Sequence, residues 1–273
     1  MNLTSYERRQ VTEIREWKAE EPSVISMALG IALSPVTWLM NKLVPLAAIR
    51  GALDLSSSAA EWLTDTDDLV RDAGVQTLED LKTLSLEKSD DLANSVHNWA
   101  IALATAEGGT TGTLGLPGVA VDIPAIITFA LRTIHKIGAC YGYEIKSRSD
   151  RDFVFAILSS ASANDMEEKT LALLALRSIE VTLMKHTWKA IAQQAGTQTV
   201  GTGTAILAIK SLAAQLGVNL TKRKILQAIP VIGAMVGASV NGWYLKEIGW
   251  AAPRAYQERW LAENGKLDGP IDS

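Results

Sequence analysis

The chain has 273 residues, 48% of them hydrophobic and 21% charged, which suffices for one large helical domain or two small ones and excludes a disordered chain. A net charge of −4 excludes a general nucleic-acid binder, since that function needs a basic footprint. The single cysteine, Cys140, forms no intrachain disulfide and fits a reducing compartment.

In chain order the expectation is helix throughout, with no convincing alternating strand and no fixed-period repeat. The N-terminal segment MNLTSYERRQVTEIREWKAEEP is too charged for a secretory apolar region, so a cytoplasmic protein is expected. Thr4 and Glu7 have capping-box spacing for a first, charged helix that Pro22 closes. Its apolar positions Val11, Ile14 and Trp17 keep to one side, and Arg8, Arg9, Arg15 and Glu16 are read as solvated. Ser34 and Pro35 predict the start of a helix interrupted at Pro45. TDTDD at 64–68 lacks the glycine and distant glutamate of an EF-hand, so it reads as a helix cap and turn. Ser89 to Ala106 predicts an amphipathic helix with Leu92, Val96, Trp99 and Leu103 on one face.

The stretch EGGTTGTLGLPGVAVDIPAI at 107–126 follows, with Asp122 placed to cap the next helix and Pro124 in its first turn. Ser149 with Asp152, and Asp165 with Glu168, predict two more starts, the second opening a helix that reaches Gln194. Gly196 to Gly203 reads as a flexible link to helices near 204–217 and 221–237. An aromatic-rich helix over about 240–263 precedes a polar tail. The organisation expected is a charged helix at 1–22, a helical domain at 23–263 and a polar tail at 264–273. The fold class is all-α: a single multi-helix bundle with glycine-rich apolar hairpins.

The glycine stretch matches no Walker loop, and Gly201 with Gly203 begins a GxGxxG fingerprint that Ile206 breaks. A backbone nest for phosphate is disfavoured because Asp122, at the expected helix start, would repel an anion. The packing reading is better. Positions 108, 112, 115, 119 and 122 step by four and three, so a helix would present three glycines and then Asp122 as a smooth groove. Bending at Pro117 and Pro124, with two short segments and a reversal, is the competing reading. ILQAIPVIGAMVGASVNGWYL at 225–245 is also uncharged and aligns Pro230, Gly233, Gly237 and Asn241, with a GxxxG pair at 233 and 237. Its length suits a bilayer span, yet its Ala, Gly and Ser content suits a buried helix as well. Reversible insertion or surface contact stands between the two.

The three histidines, His97, His135 and His186, are isolated, so no metal site is assigned. Asp122, Arg132 and His135 form the one constellation of interest, read as a cap with a polar patch or as a polar centre in an apolar cavity. Cys140 is read as packing rather than reacting. Trp38, Trp243, Trp250 and Trp260 flank apolar stretches, where a membrane interface or a helix-packing role fits equally.

GGTTGTLGLPGVAVDIPAI, ALRTIHKIGACYGYEI and IPVIGAMVGASVNGWYL, in that order, resemble the EcsC protein family from about residue 26 to about 260. The resemblance places the family's signatures on Gly108, Gly109, Gly112, Gly115, Asp122, Pro124, Tyr141 and Gly142. It implies a bacterial, helical, membrane-associated protein from a family named for a companion of ABC-transporter genes linked to secretion, and it brings no catalytic residues. The function expected is non-enzymatic: binding of membrane lipid or an apolar ligand, at the inner membrane as a peripheral or reversibly inserted protein, with no cofactor and no nucleic acid. The alternative is an accessory partner of a transporter or secretion component, and the third reading is a hydrolase with Asp122 central. Candidate contact residues are Gly109, Gly112, Gly115, Asp122, Pro124, Arg132, His135, Tyr141, Gly233, Gly237, Asn241 and Trp243.

Overall fold

The computed structural model describes residues 2–22, 65–111, 115–163, 165–193 and 230–271, with side chains described outside 104–111, 115–127, 185–193 and 230–245. Among these residues the chain is all helical, with no strand. The α-helices are α1 (Ser5–Ala19), α2 (Asp67–Ala73), α3 (Leu86–Thr111), α4 (Gly115–Cys140), α5 (Arg148–Ser162), α6 (Met166–Gln193) and α7 (Pro230–Glu263). A 3-10 turn, Glu79–Thr83, lies between α2 and α3. The helix expected from Ser34, the link at 196–203, the helix near 204–217 and residue Gly112 lie outside the described residues.

Local chemistry sets most starts. Thr4 and Glu7 close the expected capping box on α1: the Glu7 amide donates to Thr4 Oγ1 at 3.1 Å, and the Thr4 amide donates to Glu7 Oε2 at 2.7 Å. Asp65 accepts from the Asp67 amide at 3.0 Å, so the described part of the expected turn, 65–68, leads into α2, which Gly74 ends at φ +70°. Asp165 accepts from the Glu168 amide at 2.8 Å at the start of α6. The box on α5 is Ser147 with Asp150, two residues before the expected pair.

Three boundaries differ from expectation. First, α3 continues through Gly108 and Gly109 to Thr111. Second, α4 starts at Gly115, so Asp122 and Pro124 lie inside it and Asp122 is not its cap. Pro117 is the reason this start is tolerable: in the first turn its missing N–H breaks no intrahelical bond. Third, α7 is one helix of 34 residues where two were expected. It carries Pro253 internally, which leaves the Gly249 carbonyl without its intrahelical donor.

The helices α3, α4 and α7 form the centre. Asp90 on α3 meets Gln257 on α7, and further along His97 meets Gly249 and Trp250, so α3 and α7 are antiparallel. Asp90 meets Tyr141, and Trp99 meets Phe129, so α3 and α4 are antiparallel too. α5 and α6 pack as a second antiparallel pair on this centre, and α1 lies across α7. Leu131, Ile134, Ile137, Phe153, Ile157, Tyr256 and Leu261 are fully buried at their meeting point.

α1 departs from its expected face. Its buried residues are Glu7, Gln10, Ile14 and Lys18, whereas Val11 and Trp17 are only partly covered. The helix turns toward polar partners because α7 presents Arg254 and Glu258 there. The C-terminal segment is likewise docked: Ile271 is buried, its carbonyl accepts from Lys18 Nζ at 2.7 Å, and its amide donates to Glu258.

A Cβ at Gly138 would lie 2.5 Å from Tyr256 Cζ and 2.6 Å from its hydroxyl, whereas one at Gly269 meets nothing within 4 Å. Gly138→Ala is expected to lose about 1–3 kcal/mol of stability by overpacking, with Gly269→Ala within about 0.5 kcal/mol of wild type, read as denaturant midpoints at unchanged m.

Candidate functional site

Polar groups converge at one end of the α3–α4–α7 centre. The stripe Leu86, Asp90, Ala93, His97 and Ala100 on α3 faces inward, so helical periodicity carries Asp90 into the core with only 4% of its surface exposed. Its carboxylate accepts from Tyr6 Oη on α1 and from Tyr141 Oη just after α4, each at 2.6 Å. Burial raises the Asp90 pKa, while the bonds from Tyr141, Tyr6 and Gln257 oppose that rise. Beside it, Arg254 donates to Gln10 at 2.6 Å and to Gln257 at 2.9 Å, and pairs with Glu13.

A second buried cluster joins α1, α6, α7 and the C-terminal segment. Lys18 Nζ lies 2.7 Å from Glu258 Oε1, and both side chains are almost fully covered. Glu180 on α6 is equally buried with Oε1 unpartnered, and burial first, then the Glu258 charge, raises its pKa well above the usual carboxylate range. On the far side of α7, Arg259 pairs with Asp150 at 3.2 Å and Glu263 at 2.9 Å, and stacks over the Tyr143 ring at 4.1 Å.

The candidate residues scatter over this frame. Tyr141 is fully buried and bound to Asp90, so it holds the fold. Its neighbour Gly142 has φ +78°, and a Cβ there would lie 2.7 Å from the Lys82 amide nitrogen, so the Tyr-Gly pair is a structural signature. Arg132 and His135 share α4 but not a site. Arg132 points to the Trp99 ring, with its guanidinium 5.9 Å from the centroid. His135 is buried, and desolvation pushes its pKa down to about 4. Asp122 lies ten residues before Arg132 on the same continuous helix, a rise of about 15 Å, so the helix does not bring the two together. Gly109 is in the last turn of α3, Gly115 opens α4, and Gly233, Gly237, Asn241 and Trp243 lie in the first half of α7. Cys140 is buried with its thiol pKa raised by desolvation, which leaves it protonated and packed. Trp260 is 5% exposed and belongs to the core, whereas Trp250 and Trp99 are about half exposed, at 49% and 52%.

Asp90, Lys18, Glu180, Glu258 and Arg254 were not singled out from the sequence. The available signal was their position on apolar stripes at three- and four-residue spacing, as with Lys18 below Ile14.

Two cavities flank the clusters. A cleft of about 620 Å³ opens between the end of α1 and the middle of α7, walled by Trp17 and Trp250 and rimmed by Glu20, Glu21, Lys246 and Glu247. A pocket of about 270 Å³ lies against His135, Leu78 and Tyr143. Among the described residues no cluster of His, Cys, Asp or Glu is placed to hold a metal ion. The buried acids and bases mostly satisfy one another, and their chemistry is that of clamps.

The model of the EcsC protein family matches residues 8–261. The chain is 25% identical over 273 residues to "Uncharacterized protein YdbA" of Bacillus subtilis (strain 168), covering 94% of each chain. It is 22% identical over 185 residues to "Protein EcsC" of the same organism, covering 68% of this chain and 69% of that one. No solved structure matches.

Tyr141→Phe removes one of three donors to a buried carboxylate and is expected to cost about 1.5–3 kcal/mol, read by denaturant unfolding. For Glu180 the folded pKa lies above the unfolded value, so its stabilising contribution is full below the unfolded pKa and fades as pH rises through the folded one. Glu180→Gln is therefore expected to gain on wild type progressively as pH rises above the unfolded carboxylate pKa of about 4.3, checked by thermal melts at increasing pH.

Proposed function

The chain belongs to the EcsC protein family, and from that premise we propose that it is a non-enzymatic peripheral membrane protein that carries lipid or another apolar ligand at one end of its bundle. The observation that carries this reading is the polarity of the bundle along its axis. The charged clamps sit where α3 begins and where α4 and α7 end. The opposite ends of the same helices, 104–111, 115–127 and 230–245, contain Glu107 and Asp122 as their only charged residues. Continuing the antiparallel register brings both glycine runs toward that uncharged end, where small residues let helices approach closely.

The uncharged lengths fall short of a bilayer span. From Trp99 to Thr111 α3 rises about 18 Å, and from Pro230 to Leu245 α7 rises about 22 Å, against a hydrocarbon core about 30 Å thick. Among the described residues no helix is long and apolar enough to cross a membrane. Insertion of helix ends from the cytoplasmic side of the inner membrane agrees with both facts.

The exposed face of α1, with Arg8, Arg9, Arg15 and Glu16, favours a second reading: an accessory contact to a transporter or secretion component. Charge reversal at Arg8 and Arg15, which leaves the buried face of α1 intact, would abolish a pull-down of such a partner without altering lipid binding.

Co-sedimentation with vesicles tests the first reading. Wild-type protein is expected to sediment with vesicles or extract lipid from them, and Asp122→Asn to bind several-fold more tightly because a carboxylate is removed from the inserted end. A protein that stays wholly in the supernatant with every lipid, and extracts none, overturns it. Loss of hydrolysis of a lipid panel on Asp122→Asn, with the fold intact, would establish the enzyme reading instead.

A further inference from the structure

Three helices carry aromatic rings at one level, just below the uncharged ends. His97 and Trp250 meet edge-to-face with centroids 6.3 Å apart, which fixes α3 against α7. One half-turn further along α3, Trp99 meets Phe129 of α4 at 6.4 Å. Arg132, one turn from Phe129, is held over Trp99, and among the described residues this ring is its one interaction, with no ion pair or hydrogen bond. Arg132 is the first cation on α4, and α3 carries none after Lys88. A guanidinium with unused donors, fixed on a half-exposed indole at the boundary between a charged and an uncharged zone, has the chemistry of an interfacial phosphate receptor.

We propose that Arg132, Trp99 and Phe129 form a headgroup site for anionic phospholipid, with Arg132 donating to the phosphate and the two rings seated at the hydrocarbon boundary. The proposal rests on the membrane reading above and adds to it a lipid class, a depth and a side of the bundle. Lys246 and Trp250 sit at the same level on α7, but the cleft there is rimmed by Glu20, Glu21 and Glu247, so that side presents a mixed field to an anionic surface. The Arg132 side has no described carboxylate within ion-pair distance.

The experiment uses the full chain with vesicles of phosphatidylcholine alone and of phosphatidylcholine with phosphatidylglycerol. Wild type is expected to prefer the anionic vesicles. Arg132→Gln should weaken binding to them about fivefold and leave phosphatidylcholine binding unchanged, from the typical contribution of one basic residue at such a surface. Arg132→Lys should recover most of the loss, since lysine still offers a point charge to phosphate, and Lys246→Gln should stay near wild type. Brominated lipid should quench wild-type fluorescence more than that of Trp99→Phe, a readout that serves even where Arg132→Gln folds poorly. Unchanged anionic preference in a folded Arg132→Gln, or equal quenching with and without Trp99, overturns the headgroup site and leaves the membrane reading standing. A Trp99-dependent fluorescence change with inorganic phosphate in the absence of vesicles would also overturn it, assigning the site to a free anion. Failure of wild type to bind either vesicle overturns both.

Discussion

A charge taken out of water must meet a partner, and that constraint decides where these helices touch. Asp90 is the clearest case. One carboxylate accepts a bond from α1 through Tyr6 and from the end of α4 through Tyr141, while its own backbone belongs to α3. Three elements are thereby fixed to a single atom group. Lys18 repeats the device with Glu258 of α7 and the carbonyl of Ile271, so the first helix and the last residues are held by one ammonium. Breaking such a buried pair costs about 3–5 kcal/mol because the surviving charge stays buried. The clamped end therefore moves as a unit.

Near-neighbour chemistry was legible in the sequence, and distant pairing was not. Thr4 with Glu7 and Asp165 with Glu168 are complete within one helical turn, and both caps stand where expected. SRSDRD at 147–152 shows the limit of that reading. It contains two overlapping capping registers, Ser147 with Asp150 and Ser149 with Asp152, and local rules do not choose between them. Arg259, more than a hundred residues away, takes Asp150 as its partner and selects the first register. Asp90, Glu180 and Glu258 were not singled out for the same reason: their partners lie on other helices. Only their place on an inward stripe separates them from solvated neighbours such as Asp91.

The glycine runs show a different limit. Gly108 and Gly109 are expected after the helix at 89–106, either on a close-packed helix face or at a bend, since each costs about 1 kcal/mol in a helix, and α3 runs through them. Asp122 and Pro124 had the look of a helix start, but Gly115 and Pro117 offer an earlier one, and the helix takes it. Intrinsic propensity is a weak guide where a long neighbouring helix supplies packing on one side. The tryptophans divide in the same physical terms: Trp260 fills the core beside Leu261, while Trp99 and Trp250 keep one edge outside.

On the membrane reading, the small residues of the uncharged ends are what lets one fold meet both water and lipid. Alanine, glycine, serine and threonine, interspersed there with valine and isoleucine, expose little apolar area per residue, so such an end costs less in water than a leucine-rich end of the same length. The clamped end has no such freedom, because Asp90, Lys18, Glu258 and Arg259 would each lose a partner or enter hydrocarbon charged. On the membrane reading, the direction of approach then follows from the fold alone. Only the uncharged end can enter, and Arg132 sets how far, since it is the first cation met along α4. Depth and orientation thus come from where the charges stop, with no contribution needed from a spanning helix.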